Sequence, residues 1–187
     1  MDWTILAALV GVTLVLLVLE RLGFRMTPQL RFRGDLKRET AFLAQYGQLV
    51  CTPIVALIVW QLDPRGWRAA AAVVGAGAAT VLIGIALKRL FGRVRPNREH
   101  AGKFLGFRRT HAGYRESFPS NHSATAVALS AVLARLYPSA AVTFWSLAVI
   151  TAVLRYLLEA HWPSDVVAGV ALGYAVAQLT LLLLGMT

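Results

Sequence analysis

Six long apolar runs limit what this chain can fold into more than any other feature. They are Trp3 to Leu19, about Phe42 to Leu62, Ala69 to Leu87, about Ser123 to Tyr137, Ala140 to about Leu154, and Val166 to Leu184. A helix needs ~20 apolar residues to cross the hydrocarbon of a bilayer. The third and sixth runs reach that length alone. The fourth and fifth reach it only if their helices continue through Ser120-Asn121-His122 and through Arg155 to Leu158. Such an extension sets polar residues at the edge of the hydrocarbon. With 57% hydrophobic residues and 15% charged ones, the chain has more apolar surface than a soluble core of 187 residues needs. The expected fold is all-α, a six-transmembrane-helix bundle forming a single domain over residues 1–187.

The connections differ in kind. Asp63-Pro64-Arg65-Gly66 and Pro138-Ser139 read as tight turns. Residues 20–41 are charged, and residues 88–122 form the longest loop. The start, Met1-Asp2, lacks the basic region of a signal peptide and no small-residue cleavage site follows the first run, so that run reads as a retained span. The lone Cys51 excludes an intrachain disulfide. Gly75, Gly77 and Gly84 in the third run, and Gly169 and Gly173 in the sixth, allow close helix approach, either within the bundle or across a dimer face.

If six spans cross alternately, loops 1–2, 3–4 and 5–6 share one face, and three polar groups fall on it. In "KRLFGRVRP" (88–96), a continuing helix would place Lys88 and Arg95 two turns apart on one side. Such a pair can cradle an oxyanion, or can serve as a basic flank that anchors the span. In "SFPSNHSA" (117–124), Ser120 is a candidate N-cap, and His122 sits in the first turn, where helix amides favour anions. A capping Ser with an interfacial His is the plainer reading. In "RYLLEAHWPSD" (155–165), Ser164 or Asp165 can cap the sixth span. Asp165 is also placed to hold one nitrogen of His161 and leave the other free. An Asp and a His beside a membrane span point to function.

The formal net charge is +10, from 19 Lys and Arg against 9 Asp and Glu. The cations lie between apolar runs and not on a soluble face, so anionic headgroups or phosphates fit as partners better than nucleic acid.

Taken together, these segments resemble the type 2 phosphatidic acid phosphatase family, whose signature runs Lys-x6-Arg-Pro, Pro-Ser-x-His, and Ser-Arg-x5-His-x3-Asp. Here they read "KRLFGRVRP", "PSNH" (119–122) and "LRYLLEAHWPSD" (154–165), within residues 88–165. Leu154 stands where the family has Ser, and Asn121 replaces the commoner Gly. The resemblance implies a membrane lipid phosphatase with its active site at one membrane face. By that resemblance His161 attacks phosphorus and becomes a phosphohistidine, Asp165 orients it, and His122 protonates the leaving oxygen and then activates water. Lys88, Arg95, Ser120, Asn121 and Arg155 would bind the phosphate. Three cations and a helix terminus can stabilise phosphoryl transfer without a metal, and no cofactor is expected.

A site at headgroup depth suits a lipid phosphate whose tails stay in the bilayer. Polyprenyl pyrophosphate, phosphatidate, phosphatidylglycerophosphate and a lipid A phosphate all qualify. No obligate protein partner is inferred. Loop 97–117 carries Phe104, Leu105, Phe107 and Tyr114 among Lys103, Arg108, Arg109 and Arg115, and reads either as an interfacial segment admitting anionic lipid or as an ordinary loop. His100 and His111 read as surface histidines. The resemblance implies a bacterial cytoplasmic membrane, with family members usually acting on its outer side. The charge bias opposes that side: loops 1–2, 3–4 and 5–6 carry 6, 9 and 1 Lys and Arg, against 3 on the opposite face. The side stays open. Rival classes are a soluble haloperoxidase, which six spans oppose, a lipid phosphotransferase using the same phosphohistidine, and a non-catalytic lipid-phosphate binder.

Overall fold

The computed structural model describes residues 2–24, 26–28, 34–107, 109 and 112–186, without the side chains of Leu36 and Lys37. Arg108 and His111 lie outside the described residues. Every regular element described is helical: α1 (Trp3–Arg21), α2 (Gly34–Leu43), α3 (Cys51–Leu62), α4 (Trp67–Phe91), α5 (Asn121–Leu136), α6 (Ala141–Leu157) and α7 (Pro163–Leu183). Helices α1, α4 and α7, and α6 with its short lead from Pro138, are long and apolar enough to cross a membrane.

The other two expected spans take different forms. The run from Phe42 to Leu62 is not one straight helix. A 3-10 turn, Ala44–Gly47, follows α2, and the chain then bends by 55° into α3. The break has a packing cause. Gly47 lies directly against the backbone of His122, where any side chain would overlap the His122 carbonyl. Pro53 then falls in the first turn of α3, the one part of a helix that tolerates a missing amide donor. Helix α5 has only 16 residues, short for a lipid-facing span. It is buried along nearly its whole length and packs on α4, α6 and α7, so protein surrounds it instead of hydrocarbon. Both short runs extend in part: α5 through Asn121 and His122, with Ser120 as its N-cap, and α6 to Leu157, with Leu158 as its C-cap.

Helix α1 is the opposite of α5. It exposes Val10, Val12, Leu14, Val15 and Val18, buries only Thr13 among its described residues, and leans on α7. An outward face this apolar is stable only in lipid. On the far side of the bundle, the Asp63–Gly66 turn is tied by Arg65. That residue pairs with the Asp63 carboxylate at 2.8 Å and reaches the Leu136 carbonyl at 2.8 Å.

The GxxxG pair turns inward. A methyl group at Gly169 would overlap the Ser120 carbonyl, and one at Gly173 the Ala124 carbonyl, so both glycines seat α7 on α5. This is packing within the bundle, not a dimer face. We expect Gly173→Ala to destabilise the protein by about 1–3 kcal/mol through overpacking. Gly11→Ala, which meets open space, should leave the melting temperature unchanged in detergent. Equal melting of the two variants would contradict this packing.

Candidate active site

Three chain segments meet at one end of the bundle. The first leaves α4. Lys88 lies in its last turn, 7% exposed, and its ammonium donates to the Glu116 carbonyl at 2.5 Å. Lys88 and Arg95 do not share a helix face as the spacing suggests. Gly92 takes the left-handed conformation (φ 56°, ψ 44°) and ends α4 at Phe91, a position glycine occupies without steric cost. Arg95 arrives on an extended segment instead, whose Val94 amide donates to the Lys103 carbonyl at 3.0 Å. Loop 97–117 is thereby knit to residues 92–95. Phe104 turns inward, edge-on to Phe91 and Phe118, while Phe107 is 69% exposed.

The second segment starts α5. Ser120 is the N-cap; its Oγ accepts from the Ser123 amide at 3.4 Å and shares a hydrogen bond with Ser123 Oγ at 2.9 Å. That hydroxyl is committed to the cap. The Asn121 side chain packs against Gly84 of α4, with its Oδ1 buried and unpartnered. What these two residues offer an anion is therefore the amide-rich start of α5 rather than their side chains. His122 is half-buried, and the charges of Arg155, Arg95 and Lys88 all act on it.

The third segment links α6 to α7. Arg155 lies in the last turn of α6. His161, 2% exposed, stands in the short connection, and its Nδ1 lies 2.8 Å from the Ser117 carbonyl. A carbonyl oxygen only accepts, so Nδ1 carries the proton and Nε2 is the free base. Asp165 was expected to hold this nitrogen, but its Oδ2 is 3.8 Å away, beyond hydrogen-bond reach. Asp165 is occupied elsewhere. It receives Arg93 Nη1 at 2.6 Å, Ser117 Oγ at 2.5 Å and the Trp162 amide at 2.9 Å. The last contact lets Asp165, at N3 of α7, satisfy the amide of the N-cap residue Trp162, with Pro163 at N1.

Sequence reasoning passed over Ser117, Arg93 and Glu20. Arg93 reads as a spacer between Lys88 and Arg95, yet it is 2% exposed and stacks between the rings of Phe104 and Trp162. Its Nη2 donates to Glu20 of α1 at 2.6 Å. The one signal available for Glu20 was an acid at the end of an apolar run.

Lys88, Arg95, Arg155 and His122 lie near enough for their charges to act on one another. Burial lowers the pKa of the Arg95 guanidinium below its usual range. The Nε of Arg95 and the Nε of Arg155 are buried without partners. Unsatisfied guanidinium donors beside a helix N-terminus suit a tetrahedral oxyanion. Such a cluster of cations repels a metal ion.

Burial pushes the His161 imidazole down from 6.5 to about 3; Asp165 opposes the shift, and the Lys88 and Arg155 charges add to it. Between these values the unfolded chain holds a proton on this ring and the folded chain does not. Stability from this group is therefore complete above pH ~6.5 and declines as the pH falls toward 3, by at most about 1.4 kcal/mol per pH unit. We expect wild type to lose more melting temperature than His161→Gln between pH 7.5 and pH 5. Equal losses would contradict a neutral buried ring.

Known proteins resemble this chain in sequence and in fold. The profile of the PAP2 superfamily matches residues 67–186. Two curated relatives are lipid A 1-phosphatases, from Rhizobium etli (42% identical over 96 residues) and Rhizobium johnstonii (41% over 96). Each match covers 50% of this chain but only 41% and 39% of the relatives, so the chain matches less than half of their length. Two solved structures share the fold, each with a TM-score of 0.64. The crystal structure of LpxE from Aquifex aeolicus is 19% identical, over 80% of this chain and 87% of that one. The PAP2-type phosphatidylglycerolphosphate phosphatase of Bacillus subtilis is 16% identical, over 94% and 93%. With a profile match over most of the chain and a shared all-helical membrane fold, this protein belongs to the PAP2 superfamily.

Proposed function

We propose that this chain hydrolyses the phosphate of a membrane lipid through a phosphohistidine on His161. One observation carries the reading: the His161 imidazole is fixed through Nδ1 on the Ser117 carbonyl, within the fields of Lys88 and Arg155, and His122 lies in the fields of the same two cations and Arg95. Nε2 of His161 attacks phosphorus in line, the N–P bond forms, and the P–O bond to the lipid breaks. His122 gives its proton to the leaving oxygen. It then takes a proton from water, whose oxygen displaces His161 and releases inorganic phosphate. Lys88, Arg95, Arg155 and the first-turn amides of α5 hold the equatorial oxygens. Phosphoryl transfer needs mainly such positioning and charge, which is why the site works without a metal. Asp165 acts here as a counter-charge to the imidazolium at 3.8 Å and not as its hydrogen-bond partner.

The substrate follows from the setting. The cradle sits at the end of apolar helices, where a lipid headgroup meets its tails. The named activity of the two curated relatives makes a lipid A 1-phosphate the first substrate to test, and the bacterial inner membrane the expected location.

Phosphate release by detergent-purified protein in EDTA tests the proposal, with polyprenyl pyrophosphate, phosphatidate, phosphatidylglycerophosphate and lipid A offered in turn. We expect release from lipid A and a loss of about a thousandfold or more in His161→Ala. Release from none of the four, or equal release by the variant, would sink the mechanism.

A further inference from the structure

Behind His161 lies a charge arrangement of which the mechanism above uses only Asp165. The Arg93 guanidinium is buried between two carboxylates, Asp165 on α7 and Glu20 on α1, with side-chain exposures of 2%, 0% and 3%. Nη1 serves Asp165 at 2.6 Å and Ser164 Oγ at 2.6 Å, and Nη2 serves Glu20 at 2.6 Å. Glu20 also accepts from the Ser164 hydroxyl at 2.5 Å and the Ser164 amide at 3.1 Å, which caps the start of α7 from another helix. Glu20 lies outside residues 67–186, the part of the chain that the family profile matches.

The charge count is the point. One cation and two carboxylates sum to a single negative charge. An Arg93–Asp165 pair alone would sum to zero, and the counter-charge offered to His161 would largely vanish. Glu20 draws one side of the guanidinium away.

We propose that Glu20 is a positioning residue for the reaction: by sharing Arg93, it leaves Asp165 with the uncompensated charge that stabilises the imidazolium forming on His161. This rests on the phosphohistidine reading above. The other charges acting on His161 are Lys88 from α4 and Arg155 from α6, both positive, so Asp165 supplies the only opposing field among the groups named, and Glu20 acts through it.

The test compares wild type, Glu20→Gln and Glu20→Asp as full-length protein. Glu20→Gln keeps the size and an accepting oxygen but removes the charge. We expect kcat to fall about tenfold to a hundredfold with KM within threefold, and Glu20→Asp to recover most of kcat. Affinity for orthovanadate, which bonds to a histidine nitrogen as a mimic of the reacting phosphoryl group, should fall about tenfold in Glu20→Gln. Affinity for inorganic phosphate, held without that bond, should stay within threefold. Unchanged kcat, or equal losses in both variants that track folded protein, would overturn the proposal. If Glu20→Gln does not fold, Glu20→Asp serves alone: it keeps the charge, so its kcat should stay within about threefold of wild type, and a loss of about tenfold or more in folded Glu20→Asp overturns the idea. Wild type inactive on every lipid, with vanadate affinity still dependent on Glu20, would reject the substrate reading and retain this one.

Discussion

The buried guanidinium of Arg93 is the interaction on which the active end of this protein depends. It joins α1, the segment after α4 and the start of α7, three pieces separated by 73 and 72 residues in sequence. A buried cation is tolerated only where partners replace its water, and two carboxylates, one hydroxyl and two aromatic faces do so here, although Nε is buried without a hydrogen-bond partner among the described residues. Losing one partner of such a pair costs about 3–5 kcal/mol, because the remaining charge has no water to turn to. The same contacts fix Asp165, and Asp165 fixes Ser117. The backbone carbonyl of Ser117 then sets the tautomer of His161. A structural ion pair and the His161 ring are therefore two ends of one hydrogen-bonded chain.

A second constraint is how closely α5 can be approached. Gly47, Gly84, Gly169 and Gly173 each face α5 with no room for a side chain. Their effect is to sink a short, polar-ended helix into the bundle, so that its N-terminus opens beside the cations and not into lipid. Packing in the membrane-spanning part and chemistry at its edge are thus settled together.

The sequence disclosed much of the site. Lys88, Arg95, His122, Arg155, His161 and Asp165 stand at motif spacing and converge at one end of the fold. Their pairings were less legible. Asp165 looked like the partner of His161 because they are four residues apart, but its carboxylate takes the Trp162 amide three residues back at the start of α7. Ser120 and Asn121 looked like phosphate ligands because they flank His122, but one caps α5 and the other packs on Gly84. Local spacing shows which residues share a neighbourhood; it does not say which of several nearby acceptors a donor will take.

What the sequence by itself determined is the set of apolar runs, the face on which the polar groups gather and the motif that carries the reaction class. These are written in composition and short-range spacing, and the bilayer reads them residue by residue. Only the tertiary structure decided that α1 delivers Glu20 to Arg93, that Ser117 holds His161 and that the second span is broken. Those contacts join residues 73, 44 and 75 positions apart. No local preference encodes them, because each donor is satisfied only after separate helices have packed and water has been excluded.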